Sequence, residues 1–163
     1  MKSDKMMKVL YQLLKNSKKS DRDLAKVLKS SQPTITRMRK KLERSGMVRD
    51  YTVIPDFRKM GFEILALTFV KMRSKILTPK VMVGAKRYAA RFPNAIFASS
   101  GEGLGMTGVI ISLHKNYTDY HRNLNKMRVD WKEFTDDIKS FVISIGEGEF
   151  KRFSLTYLGD VAK

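Results

Sequence analysis

The sequence contains no cysteine. That excludes disulfides, thiol nucleophiles and thiolate metal sites, and it agrees with a reducing compartment. No apolar run approaches the roughly 18 residues a membrane span needs. The best stretch is Ile64 to Val70, so no membrane partner is expected. Near the N-terminus the apolar stretch Val9 to Leu14 is short and broken by Gln12, which is not the pattern of a secretory leader. A cytoplasmic location is therefore expected. Acidic residues are scarce: 16 Asp and Glu face 33 Lys and Arg, a formal charge of +17 over 163 residues. Hydrophobic residues still make up 42%, enough to bury a core in one compact domain or two small ones.

The charge is unevenly placed. Residues 1–60 hold 17 Lys or Arg and 6 Asp or Glu, a net of +11, and the remainder holds 16 and 10, a net of +6. Localised positive charge suits a polyanion, because each neutralised phosphate releases condensed counterions. A basic amphipathic helix on a membrane surface is the rival reading of charge alone.

Pattern favours nucleic acid. Met6, Leu10, Leu13 and Leu14 form one helical stripe, which Asn16-Ser17 breaks. Ser20 then heads Asp21-Arg22-Asp23, an N-cap followed by acids at the positive helix end. Leu24, Val27 and Leu28 give the second helix its stripe. A third helix follows Ser30-Ser31, with Pro33 in its first turn and Gly46 as its left-handed stop. On that helix Ile35, Met38 and Leu42 share one side. Arg37, Lys40 and Arg44 point the opposite way, with Thr36 beside them and Gln32 and Thr34 near the N-terminal end. A recognition helix needs this layout: N-terminal side chains reach base edges and flanking cations hold phosphates. Gln32, Thr34, Thr36, Arg37 and Lys40 are expected near bases. Ser31, Lys41, Arg44 and Arg49 are expected on phosphates. Met47 to Ile54, ended by Pro55-Asp56, is predicted as a strand or hairpin, the wing of a winged helix-turn-helix.

The run Asp23-Leu24-Ala25, then Ser31 through Val48, then Tyr51-Thr52-Val53-Ile54-Pro55-Asp56 and Lys59-Met60-Gly61 resembles the Lrp/AsnC, or feast/famine, regulators. The resemblance covers residues 6 to 72 in sequence and the rest in layout. It departs at Met38-Arg39, where the family usually has Arg then Ile, so Arg39 receives no base.

The second half alternates element types. Phe62 to Met72 reads as a strand, and Thr78-Pro79 opens a helix running to about Phe92. Ala95 to Ser100 is a short strand. A glycine-rich loop, Gly101 to Gly105, leads into another strand ending near His114. Tyr120, Leu124, Met127, Trp131 and Phe134 repeat at helical spacing, and Phe141, Ile143 and Ile145 alternate as a strand. The order β-α-β-β-α-β is the ferredoxin-like split unit. Phe153, Leu155 and Tyr157 suggest one further strand at the end. The resemblance implies that this half is an effector-binding and oligomerisation domain. Independently, a sheet with helices on one face leaves its other face uncovered, and apolar residues there call for a second copy.

Three features invite an enzyme reading. Gly103-Leu104-Gly105-Met106-Thr107-Gly108 satisfies G-x-G-x-x-G, but a strand follows it, so the helix N-terminus that would hold a pyrophosphate is missing. His114 and His121 lack ligand partners for a metal. Asp136-Asp137 has no nucleophile or base beside it. The resemblance makes Gly101, Glu102 and Gly103 the place for a small effector. An amino acid there would need its ammonium neutralised, and Glu102 is the acid at hand.

The expectation is an α+β chain. Residues 1–60 form a winged helix-turn-helix DNA-binding domain, and residues 61–163 form a ferredoxin-like βαββαβ oligomerisation and effector domain. Its partners would be double-stranded DNA and further copies of itself, as a dimer or a multiple of dimers, with an effector left open. No catalytic residue, metal or cofactor is expected. A sequence-specific transcription regulator is the leading function. A nucleoid-compacting architectural protein with little sequence preference is the alternative.

Overall fold

The computed structural model describes residues 2–74, 78–147 and 150–161. The chain divides into two compact units, Met1–Ile54 with Lys151–Lys163, and Pro55–Phe150.

In the first unit, α1 (Lys2–Lys15), α2 (Asp21–Val27) and α3 (Gln32–Arg44) form where predicted, but Val27, expected in the stripe of α2, is 53% exposed, and Val9, outside the expected stripe of α1, is fully buried. Val9, Leu13, Leu24, Ala25, Ile35 and Leu42 form one buried cluster. The start of α2 is a full capping box: Asp23 N–H donates to Ser20 Oγ at 3.1 Å, and Ser20 N–H donates back to Asp23 Oδ2 at 3.3 Å. Lys29, at φ 46°, turns the chain between α2 and α3. Ser30 N–H donates to Ala25 O at 3.0 Å and closes that turn. At the far end of α3, Gly46 takes φ 71°, the left-handed conformation that glycine tolerates. There the Met47 and Val48 N–H groups both donate to Leu42 O, at 3.0 and 3.1 Å.

Two expectations are corrected in this unit. Met47–Ile54 forms no strand or hairpin ladder. Its first N–H groups close the end of α3, and the Tyr51 hydroxyl donates to Glu43 Oε1 at 2.9 Å. The terminal segment forms no extra strand either. Its last turn, α6 (Leu158–Val161), packs on α1, with the Lys15 ammonium 2.6 Å from Asp160 Oδ1. The tail therefore belongs to the first unit, although it follows the second in the chain.

The second unit runs β1 (Ile64–Met72), α4 (Pro79–Arg91), β2 (Ala95–Gly103), β3 (Met106–His114), α5 (Tyr117–Asp130) and β4 (Thr135–Ser144). The sheet order is β2-β3-β1-β4, with all pairs antiparallel. This is the ferredoxin-like arrangement. Ile64 and Ala66 on β1 pack with Tyr120, Leu124 and Met127 of α5. By alternation and register, Leu67, Phe69, Phe97, Val109, Ile111 and Phe141 lie together on the opposite face. Phe97 and Phe141 are more than half exposed there.

The glycine-rich loop is shorter than the sequence suggests. Gly101, Glu102 and Gly103 lie on β2, not in a loop. The turn is the two residues Leu104 and Gly105, at φ 53° and 71°, the doubly positive turn of a tight hairpin. Because two residues suffice to reverse the chain, the strand continues to Gly103, opposite Met106.

Candidate nucleic-acid interface

α2 and α3 present the candidate surface. Ile35 and Leu42 anchor the inner side of α3. Gln32, Arg37, Lys40, Lys41 and Arg44 stand exposed, and among the described residues none of these cations is ion-paired. Arg49 is also exposed, five residues beyond the helix. Ser31 is the N-cap residue of α3, and its side chain bonds Thr34 hydroxyl-to-hydroxyl at 2.8 Å rather than capping the helix. Thr36 is turned toward the protein: its hydroxyl donates to Asp21 Oδ2 at 2.7 Å.

The arginine left without a base has a structural partner. Arg39 Nε lies 2.8 Å from Asp21 Oδ1, with both side chains about four-fifths buried. The two atoms are in ion-pair contact without an aligned hydrogen bond. Its Nη2 donates to Lys19 O at 2.8 Å. Asp21 therefore receives Thr36 and Arg39 together and ties α3 to the start of α2. This fixes the angle at which α3 offers its outer face. The clamp was missed in sequence because Asp21 reads there only as a helix-start acid.

The arrangement holds cations in place and offers no acid, base or nucleophile constellation. Among the described residues no group of three or more His, Asp or Glu gathers for a metal, and no helix is long and apolar enough to cross a membrane. In the second unit, Gly101, Glu102 and Gly103 are all exposed on the edge strand.

Comparison with known proteins bears on both halves. Residues 2–49 match the winged helix-turn-helix DNA-binding family model. The HTH-type transcriptional regulator PH0061 of Pyrococcus horikoshii is 29% identical over 108 residues, 66% of this chain and 68% of that protein. Its crystal structure superimposes with a TM-score of 0.76 at 21% identity, covering 92% of this chain and 95% of that one. Escherichia coli AsnC gives a TM-score of 0.74 at 13% identity, over 92% and 96% of the two chains. Residues 2–49 are thus a winged helix-turn-helix DNA-binding domain, and the chain as a whole has the Lrp/AsnC fold. The chain also resembles the transcriptional regulator NMB0573 of Neisseria meningitidis, solved as a complex with L-Met. That match has a TM-score of 0.77 at 15% identity and covers 94% and 97% of the chains. A further Pyrococcus horikoshii protein, the HTH-type transcriptional regulator PH1692, reaches 37% identity over 68 residues, 42% of this chain and 46% of that protein.

Proposed function

We propose that this regulator is a cytoplasmic, sequence-specific DNA-binding protein that works as a homodimer or a multiple of dimers. The observation that carries the reading is the division of arginines on α3. Arg39 is consumed by the clamp on Asp21, while Arg37, Lys40, Lys41 and Arg44 stand exposed with no acidic partner among the described residues. In this reading α3 enters the major groove. Gln32, Thr34, Arg37 and Lys40 meet base edges, and Thr36, its hydroxyl held by Asp21, has a methyl left for thymine. Ser31, Lys41, Arg44 and Arg49 take phosphates. Residues 1–60 with the returning tail serve DNA binding, and the remainder serves assembly.

The apolar sheet face around Leu67, Phe69, Ile111 and Phe141 supports pairing with a second copy, and a dimer carries two α3 helices for two half-sites. The L-Met complex of the Neisseria relative supports a small-molecule effector, for which the resemblance suggests Gly101, Glu102 and Gly103. The test is selection of genomic fragments by the purified protein, followed by gel shift against selected and scrambled competitors. Enrichment of a shared, near-palindromic site is expected. Equal affinity for both competitors, with a steep salt slope, would favour the architectural reading instead, which the net charge of +17 also permits.

A further inference from the structure

A cleft separates α4 from the sheet. None of the thirteen residues of α4 is fully buried, and its contacts concentrate near its C-terminus. The Tyr88 ring meets Trp131 edge-on with centroids 5.3 Å apart, and the Tyr88 hydroxyl donates to Asp130 Oδ2 at 2.9 Å. Phe92 lies beside the same tyrosine, at 6.1 Å. Along its inner side the helix stands over a cavity of about 960 Å³, lined by Val70, Met72, Met82, Ala85, Ile110 and Ile138 among others. That volume is in the range of small-molecule sites, roughly 300–1,000 Å³.

The polar side chains around the cleft decide what it takes. Tyr88 is committed to Asp130. The Thr107 hydroxyl accepts from Met72 N–H at 2.8 Å and donates to Val70 O at 3.2 Å. Thr135 donates to Trp131 O, and Ser99 to Ser100 O, both at 2.9 Å. With these hydroxyls internally satisfied and Ser100 the one further hydroxyl in the lining, the walls offer chiefly methyl, methylene, thioether and ring surface. Methionines at three wall positions, Met72, Met82 and Met127, can adapt to an irregular occupant. Two charged residues border the cleft, Lys86 on α4 and Glu102 on β2. Lys86 has no ion-pair partner among the described residues. Its helix carries Lys80, Lys86, Arg87 and Arg91 and no acid, so the local potential favours an anion.

We propose that this cleft binds an amphipathic carboxylate, with its apolar body between α4 and the sheet and its head group on Lys86. A zwitterionic amino acid fits less well. Its ammonium would rely on one acid, Glu102, on an exposed strand, while its short side chain would leave most of the cavity unfilled. The inference rests on the reading of the second unit as the half that receives a small molecule, and it names the class.

Trp131 is the only tryptophan and lines the cleft, so its emission reports on the wall. The experiment titrates the full chain with decanoate below its micelle concentration, and separately with decylamine and with L-methionine. Decanoate should shift Trp131 emission saturably. Decylamine should bind at least about tenfold more weakly, a difference of about 1.4 kcal/mol, and L-methionine should bind more weakly than decanoate. Lys86→Glu, on the helix surface, should weaken decanoate about tenfold without changing Tm. Ala98→Phe, which fills the cleft from β2, should abolish the shift; if that variant does not fold, Lys86→Glu decides. An absent or unsaturable shift, equal binding of decylamine, tighter binding of L-methionine, or an unchanged Lys86→Glu would each overturn the proposal. The same preparations are titrated with selected duplex: DNA binding without decanoate binding removes this site alone, and the converse removes the regulator reading while leaving the site.

Discussion

Two arginines two positions apart on α3 have opposite surroundings. Arg37 stands exposed, whereas Arg39 reaches Asp21 and Lys19 O. Removing Arg39 strands a partly buried carboxylate, a case between exposed pairs, worth about 0–1 kcal/mol, and buried ones, where loss of a partner costs about 3–5. Arg39→Ala should therefore lower stability by about 1–2 kcal/mol, seen as a lower Tm, while Arg37→Ala leaves Tm unchanged. An unchanged Tm in Arg39→Ala would remove the clamp from the account. The sequence carried only half of this information. The outward phase of Arg37, Lys40 and Arg44 follows from helical spacing, because the apolar residues between them must face the core. The partner of Arg39 does not follow, since Asp21 lies eighteen positions away and reaches it only through the turn at Lys29. A second residue of this kind is His114, 2% exposed and set among Ser112 (2.8 Å), Asn94 (3.2 Å), Asp119 (3.7 Å) and the Tyr120 ring. Burial pushes its pKa below the ordinary 6.5, against the opposing pull of Asp119. The unfolded chain binds that proton more readily. The contribution of His114 is thus complete above pH 6.5 and declines as pH falls toward its lower folded value. Denaturation midpoints of the second unit should drop between pH 7 and pH 5, and His114→Phe should flatten that slope. A slope unchanged by the substitution would contradict this assignment.

At the scale of elements, the helices and the sheet order were legible because their apolar periods are long and consistent. The short or irregular segments were not. A wing was expected at Met47–Ile54 from its β-branched composition, but strands need ladder partners, and this segment instead closes α3 and pairs Tyr51 with Glu43. The terminal strand failed for a related reason. Alternating Phe153, Leu155 and Tyr157 mimic a strand, while the contacts that place the tail come from Gly159 and Asp160 against α1. A Cβ at Gly159 would sit 2.7 Å from Tyr11 O and 2.8 Å from Lys15 Cγ. Gly159→Ala should displace the tail and increase its cleavage under limited proteolysis; wild-type resistance would show that the close approach has no consequence. The open sheet face is the element to which the proposed assembly assigns a role. Phe141 is 65% exposed on β4, so Phe141→Glu disturbs little within one copy but places a charge at the proposed seam. Light scattering should report a monomer with wild-type circular dichroism, and an intact dimer would place the seam elsewhere.

For the whole molecule, charge and topology tell one story. The first unit gathers most of the excess positive charge and receives the returning tail, and the second supplies a sheet with one apolar face left open. Each half has features that its own folding does not require: unpaired cations on α3, and uncovered phenylalanines on the sheet. The proposed dimeric DNA reader would use both. The most direct test measures affinity of wild type and Arg37→Ala for the selected duplex and for a scrambled one, at matched salt. The account predicts that Arg37→Ala loses roughly 1–3 kcal/mol on the selected duplex and much less on the scrambled one, so that discrimination narrows. Wild-type affinity of Arg37→Ala for the selected duplex would contradict the claim that α3 reads bases.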